Sequence, residues 1–372
     1  MKSITIRLPY IEQEIYIGKD LLSGMQYDFL TSYDKVLVVA DINAYRSHAS
    51  ALQPLIKATR VREREIVILK PALESKDFEK STPILSSLVS LGATRKSCIV
   101  AIGGGYVGDI VGFSASVYMR GIDFVYVPTT LMGQCDAIIG KVAVNYEGRK
   151  NMLGSFYSPK VTICATGLIN GLPRIECCYG LVELWKHALL SGKHWVVEEI
   201  EKVLVEQAYT PDYARLVNFS LRTKARYVQR DPTDSTGYHK ALSMGHTIAN
   251  ILEADTRFRH GLAVFYGIIF ELLLARQLNA IGNKSYRAIL STARLFEREF
   301  AYVLEAQKIL DQENFIHTLL TDKISSHGTL RFAAPADSGF QILDSVTAPT
   351  INAAVREFDI LAREWTNIRS EV

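Results

Sequence analysis

The sequence predicts an α/β N-terminal domain with a mostly parallel sheet, followed by an all-α C-terminal domain. Three observations carry this. Short β-branched runs alternate with stretches of helical apolar spacing through roughly the first 160 residues. From about Ile175 onward, apolar residues recur instead at three- and four-residue intervals, and few strand-like runs remain. The chain has 372 residues and a mass of 41.6 kDa, a length that at roughly 150 residues per domain suits two domains. Pro159 and Pro173 punctuate the change, so the expected domains are 1–170 and 171–372.

The elements follow in order. MKSITIRLPY at the start alternates like a strand with one face buried. Residues 36–40 (VLVVA), 66–69, 98–102 (CIVAI) and 124–127 (FVYV, ended by Pro128) read as buried strands. Residues 80–91 have helical spacing between the second and third of these, and strand–helix–strand order favours parallel pairing. The second half carries helical spacing over 176–206, 212–229, 241–255, 261–280 and 285–307. No internal repeat or low-complexity tract interrupts it.

Apolar residues make up 48% and charged residues 22%, which excludes a disordered or fibrous chain. The net charge is 42 − 39 = +3 with no block of like charges. That argues against nucleic-acid binding through a basic face and leaves room for a small anionic substrate. The most apolar stretch, 264–275, is too short to span a bilayer and is interrupted by Glu271. The N-terminus lacks the apolar core and cleavage site of a signal peptide, so a cytoplasmic protein is expected. Cys98, Cys135, Cys164, Cys177 and Cys178 are odd in number and mostly embedded in apolar runs, as buried reduced thiols would be.

Directly after CIVAI comes GGGYVGD at 103–109. Glycines at a strand end, with Gly104 and Gly105 opening a helix, let bare backbone N–H groups approach a pyrophosphate. Asp109 can take a polar group of the same ligand, and Asp41, ending the first buried strand, stands where a ribose-binding carboxylate would. The plain alternatives are a tight strand-to-helix turn and an acidic turn former. Next comes a dense polar segment: Arg120, then Thr129 and Thr130 after the fourth strand, then Asp136, Lys141, Asn145, Lys150 and Asn151. Cationic and amide donors this close can line an anion pocket; otherwise this is a solvated loop.

A third set is metal-like. Glu183 sits in GLVELWKHALL with Lys186 and His187 on the next turn, His246 in MGHTIANILE, and His260 in FRHGLAVFYG. Two histidines and a carboxylate make a catalytic zinc site with one position open. Any one of these histidines is more ordinarily a satisfied core or surface residue, and spacing does not choose among the four candidates.

Together these segments resemble the 3-dehydroquinate synthase family of sugar phosphate cyclases, from roughly Asp41 to Arg331. GGGYVGD, YMRGIDFVYVPTTL, GRKNMLGSFYSPK, GLVELWKH, GHTIANILE and HGLAV resemble that family's blocks in the same order. The resemblance implies an NAD-binding domain and a helical domain, with zinc (Co²⁺ as an alternative) and a sugar phosphate in a cleft. It puts the metal ligands on Glu183, His246 and His260. It puts active-site positions on Asp136, Lys141, Asn151, Lys186, Lys224 and Lys323. NAD contacts fall on Asp41, Asn43, Glu74, Lys76, Gly104, Gly105, Asp109, Thr129 and Thr130, with Lys150 beside them; the spacing at Glu74 and Lys76 is one residue short. Arg120 would reach into a neighbouring subunit, implying a homodimer.

The departures bear on substrate. Ser243 stands for the family's asparagine and Asn250 for its second histidine, both positions that help hold phosphate. His239, beside Lys240, aligns with the arginine that pairs with the substrate carboxylate. Leu262 replaces a glutamate, Ile324 follows Lys323 where a second lysine is common, and Lys141 carries over across one deletion. The redox and metal positions are kept while the substrate cradle is edited. The implied reaction is transient oxidation, phosphate elimination, re-reduction and aldol closure to a carbocycle, on a substrate different from the family's standard one. The competing readings are 3-dehydroquinate synthase proper and a non-catalytic NAD- or sugar-phosphate-binding relative.

Overall fold

The computed structural model describes residues 1–70, 76–311, 315–321, 330–344 and 346–367. The chain divides into two compact units: Met1–Cys177 with Asp212–Ser235, and Cys178–Pro211 with Thr236–Val372. A single cut near residue 170 does not anticipate the return of 212–235 to the first unit.

The strands of the first unit are β1 (Lys2–Leu8), β2 (Ile11–Gly18), β3 (Val36–Asp41), β4 (Val67–Leu69), β5 (Cys98–Gly103), β6 (Asp123–Pro128), β7 (Val142–Tyr146), β8 (Arg149–Ser155) and β9 (Val161–Ala165). Seven form one sheet in the order β1-β2-β9-β6-β5-β3-β4. The β1–β2 pair is antiparallel and the other pairs are parallel. β5 and β9 are buried along their whole length, and β3 and β6 at all but the first residue. Continuous apolar runs suit strands covered on both faces. β1 and β2 alternate buried and exposed residues, as half-covered strands do. From β3 the chain steps to β4 on one side, then to β5 and β6 on the other. The strand order therefore reverses between β3 and β5, and their carboxyl ends flank a ligand crevice of the kind doubly wound sheets use.

The helices are α1 (Leu21–Gly24), α2 (Ile42–Ser47), α3 (Ala49–Thr59), α4 (Thr82–Leu91), α5 (Gly105–Val117), α6 (Leu131–Cys135), α7 (Arg174–Ser191), α8 (His194–Val205) and α9 (Tyr213–Arg230). α9 is the helix that returns to the first unit, packing on β1 and α6. The polar segment is mostly neither loop nor helix: β7 and β8 form an antiparallel hairpin, with Glu147 and Gly148 at its turn in left-handed backbone.

The second unit continues with α10 (His246–Leu252), α11 (His260–Gln277), α12 (Asn283–Phe300), α13 (Val303–Leu310), α14 (Phe315–Thr321) and α15 (Ala348–Asn367). α11 is buried continuously from Gly261 to Ala275. A helix apolar all round belongs at the centre of a bundle, and α10, α12 and α15 pack on it. The unit is helical as expected, with one addition: a hairpin of β10 (Phe332–Ala336) and β11 (Gly339–Leu343). Three expected continuous helices are broken, at Gly192 (φ +62°), at Gly245 (φ +80°) and at Ala301 (φ +60°). No helix among the described residues is long and apolar enough to cross a membrane. Cys98, Cys135, Cys164 and Cys178 are buried, Cys177 is half-buried, and none of the five is disulfide-bonded.

Candidate active site

In the first unit, β5 ends at Gly103, opposite Pro128 of β6, and β3 ends at Asp41. A Cβ on Gly103 would lie 2.5 Å from Val107 Cγ2 and 3.2 Å from Asp41 Cβ, whereas one on Gly105 would meet nothing within 4 Å. Glycine at 103 thus lets α5 start tight against the strand, and the space beside Gly105 stays open. The exposed first N–H groups of this 13-residue helix suit an anion. Asp41 is buried; its Oδ1 accepts the Ala44 N–H at 2.8 Å, capping α2, and its Oδ2 accepts the Tyr106 hydroxyl. The Thr129 N–H donates to Gly103 O at 3.1 Å, and Thr130 Oγ1 accepts from the Gly133 N–H at 3.0 Å. Asn43 is exposed on the first turn of α2. Asp41, Asn43, Gly104, Gly105, Thr129 and Thr130 therefore share one sheet edge.

Asp109 is engaged within the protein: Lys76 Nζ lies 2.5 Å from its Oδ2 and the Ala143 N–H 3.3 Å from its Oδ1. This ties α5 to the β7–β8 hairpin. Lys150 and Asn151 are exposed on β8, and the Asn151 N–H is held by Asn145 Oδ1 at 3.1 Å. Glu74 and Lys323 lie outside the described residues.

Also in the first unit, Lys224 Nζ is 2.8 Å from Asp136 Oδ1 and donates to the backbone oxygens of Asp136 and Ala137 at 3.1 and 3.0 Å. Lys141 Nζ is 3.2 Å from Asp234 Oδ2 on the surface. Arg120 is exposed and, like Met119, has left-handed backbone (φ +70° and +49°), a conformation uncommon outside glycine.

The metal-like set converges in the second unit. Glu183 on α7, His246 opening α10 and His260 opening α11 bring one donor atom each within 4.8 Å of the others. His246 Nε2 is 3.9 Å and His260 Nε2 3.8 Å from Glu183 Oε1. Those separations are within twice a zinc–ligand bond of about 2.1 Å. The other ring nitrogens are occupied: His246 Nδ1 is 3.1 Å from Met244 O, and His260 Nδ1 is 3.1 Å from Glu253 Oε1. A carbonyl and a carboxylate only accept, so both Nδ1 atoms carry a proton, and in the neutral form of each ring the Nε2 lone pair faces Glu183. Burial, and then the Lys186 ammonium, hold the His246 pKa down to about 4, keeping the ring in its ligating neutral form. At His260 burial pulls the other way from the Glu253 hydrogen bond and the Glu253 and Glu183 carboxylates, which win and raise its pKa.

Lys186, fully buried on α7, lies 2.6 Å from Glu183 Oε2 and so leaves Oε1 toward the histidines. His187 is buried on the same helix. Next to His246, the short helical turn Tyr238–Ser243 carries buried His239 and half-buried Lys240 and Ser243, whose hydroxyl donates to Lys240 O at 2.7 Å. Asn250 is half-buried on α10. Two partners escaped the sequence reading as site residues. Glu253 stands in the quoted block MGHTIANILE without a role, and Tyr106 is one letter of the glycine motif.

The family model "3-dehydroquinate synthase N-terminal" matches residues 66–178, and "3-dehydroquinate synthase C-terminal" matches 180–325. The 3-dehydroquinate synthase of Alkaliphilus metalliredigens (strain QYMF) is 31% identical over 352 residues, covering 91% of this chain and 94% of that protein. Among solved structures, 2-deoxy-scyllo-inosose synthase complexed with carbaglucose-6-phosphate, NAD⁺ and Co²⁺ superposes with a TM-score of 0.77 at 21% identity, covering 96% of this chain and 99% of the other. The 2-epi-5-epi-valiolone synthase of Streptomyces hygroscopicus subsp. jinggangensis 5008, with NAD⁺ and Zn²⁺ bound, gives 0.76 at 21% identity over 95% and 98%. At these identities the structures speak to fold.

Proposed function

Because the chain belongs to the 3-dehydroquinate synthase family, we propose that it is a sugar phosphate cyclase, a phosphate-eliminating carbon–oxygen lyase dependent on NAD and zinc, with Co²⁺ as an alternative ion. The observation that carries this reading is the convergence of Glu183, His246 and His260 with both Nε2 atoms facing one carboxylate oxygen. Phosphate leaves poorly from an unactivated sugar carbon, but a ketone next door acidifies the adjacent C–H and opens elimination. When bound, NAD⁺ supplies reversible hydride acceptance and zinc supplies Lewis-acid polarisation of a hydroxyl.

The chain's own residues do the rest. Glu183, His246 and His260 hold the ion. Asp41 and Asn43 take ribose hydroxyls, the open N–H groups at Gly104 and Gly105 take the pyrophosphate, and Thr129 and Thr130 line the same edge. Lys224, fixed by three oxygens of Asp136 and Ala137, presents a positioned cation to substrate. Lys186, Lys141 and Asn151 add charge and donors that stabilise a departing phosphate. Ring closure needs the chain held folded, which is a matter of positioning. The reading includes a homodimer in which exposed Arg120 serves the partner's site, and a cytoplasmic setting.

The substrate differs from the family's standard keto-acid phosphate. A histidine cannot form the bidentate guanidinium fork that grips a carboxylate, and His239 is buried. Losing one charge-assisted pair costs about 1.5–3 kcal/mol, or roughly 10- to 150-fold in binding. Ser243 and Asn250 alter the phosphate end as well. The deciding measurement is kcat/KM on the keto-acid phosphate, on a neutral seven-carbon sugar phosphate and on glucose 6-phosphate, with phosphate release followed. The expected result is preference for a neutral sugar phosphate. A strong preference for the keto-acid would show that Lys240 and Lys224 compensate and that this is 3-dehydroquinate synthase proper.

A further inference from the structure

α11 begins at His260 and carries a single acidic side chain, Glu271. Glu271 is wholly buried within the otherwise apolar stretch Gly261–Ala275. Its Oε2 accepts the Gly245 N–H at 2.6 Å, and its Oε1 is buried with no hydrogen-bond partner among the described residues. Gly245 immediately precedes His246 and takes a left-handed conformation, φ +80° and ψ −20°. The two backbones touch there: a Cβ on Gly267 would lie 1.9 Å from Gly245 O, and one on Gly245 would lie 2.7 Å from Val264 O. Glu271, one turn beyond Gly267, closes this contact with a hydrogen bond. A buried carboxyl group with one oxygen unpartnered is a costly way to hold one backbone N–H, which singles out this turn as one whose position matters.

We propose that Glu271 is a positioning residue for the metal centre, fixing the Gly245 turn so that His246 Nε2 faces Glu183. His260 is the first residue of α11, and Glu271 refers His246 to that same helix. The two imidazoles thereby share one rigid frame. This rests on the reading of Glu183, His246 and His260 as a metal centre.

The test is zinc affinity of the full-length chain by competition with a chromophoric chelator, together with the visible absorption of the Co²⁺-loaded form. His260→Ala is the control for the metal reading. Wild type should bind one zinc ion and His260→Ala none. Glu271→Met should bind zinc at least ~10-fold more weakly, as loss of a supporting residue around a metal does, with altered cobalt bands. Glu271→Gln, whose amide oxygen still accepts from Gly245, should stay close to wild type. Should Glu271→Met fail to fold, Glu271→Asp decides, because its acceptor is withdrawn by one methylene; it too should weaken zinc. Wild-type affinity and cobalt bands in the Met or Asp variant, with only a lowered Tm, would mean a merely structural role and overturn the proposal alone. A wild-type chain that binds no zinc fails at the metal reading and takes the proposal with it.

Discussion

At His260 the imidazole is oriented from both ends, Nδ1 by Glu253 at 3.1 Å and Nε2 toward Glu183 Oε1 at 3.8 Å. His260→Ala should therefore abolish both zinc content and activity, and full zinc occupancy in that variant would contradict the assignment. Glu253→Ala leaves the ligand but frees its ring, so zinc affinity should fall about 10- to 100-fold, read by chelator competition. Glu271 gives a pH signature in the metal-free protein. Burial holds its carboxyl well above the ordinary value of 4.5, against the opposing pull of the Gly245 N–H and Lys186. As pH rises past 4.5, the unfolded chain loses a proton that the folded chain keeps, so stability falls with pH. Glu271→Gln removes that titration. Urea unfolding should show the variant gaining on wild type as pH rises from about 4 to 8, with the gap closed below the unfolded value; a pH-independent gap would contradict it. The donor types at this centre were legible in the sequence; spacing did not choose His246 and His260 over His187, because they come from separate segments, and it was the resemblance of the surrounding blocks that singled them out. Glu271 showed only as a break in an apolar stretch.

Strands read well where both faces are covered. VLVVA, CIVAI and FVYV become β3, β5 and β6 because continuous β-branched runs have few other homes. The hairpins read poorly. β8 is largely exposed and so carries no apolar alternation, and β10 contains Pro335, which weighs against a strand. The helix expected over 241–255 fails at Gly245, where the chain turns through φ +80° to meet α11; apolar periodicity runs across such a break without registering it. That meeting yields a prediction at this scale. Gly267→Ala would put a methyl 1.9 Å from Gly245 O, and backbone on both sides leaves it nowhere to go. It should destabilise the protein by about 3 kcal/mol or more. Chemical unfolding checks this, and a loss under about 1 kcal/mol would mean that α10 and α11 separate freely.

For the molecule as a whole, the glycine motif and the metal-like blocks made the family legible, and the family models span most of both halves. The return of 212–235 to the first unit was not legible, since an amphipathic helix declares that it has an apolar face and not which unit covers it. The same holds for the substrate: His239, Ser243 and Asn250 mark an edited cradle without spelling out its occupant. The central claim is that bound NAD is restored in every turnover while phosphate leaves. The direct measurement supplies the zinc-loaded protein with substoichiometric NAD⁺ and each of the three sugar phosphates, and follows inorganic phosphate and NADH fluorescence together. For at least one substrate, many phosphates should be released per NAD⁺ with no net NADH. One NADH per turnover, or no phosphate from any of the three, would contradict it.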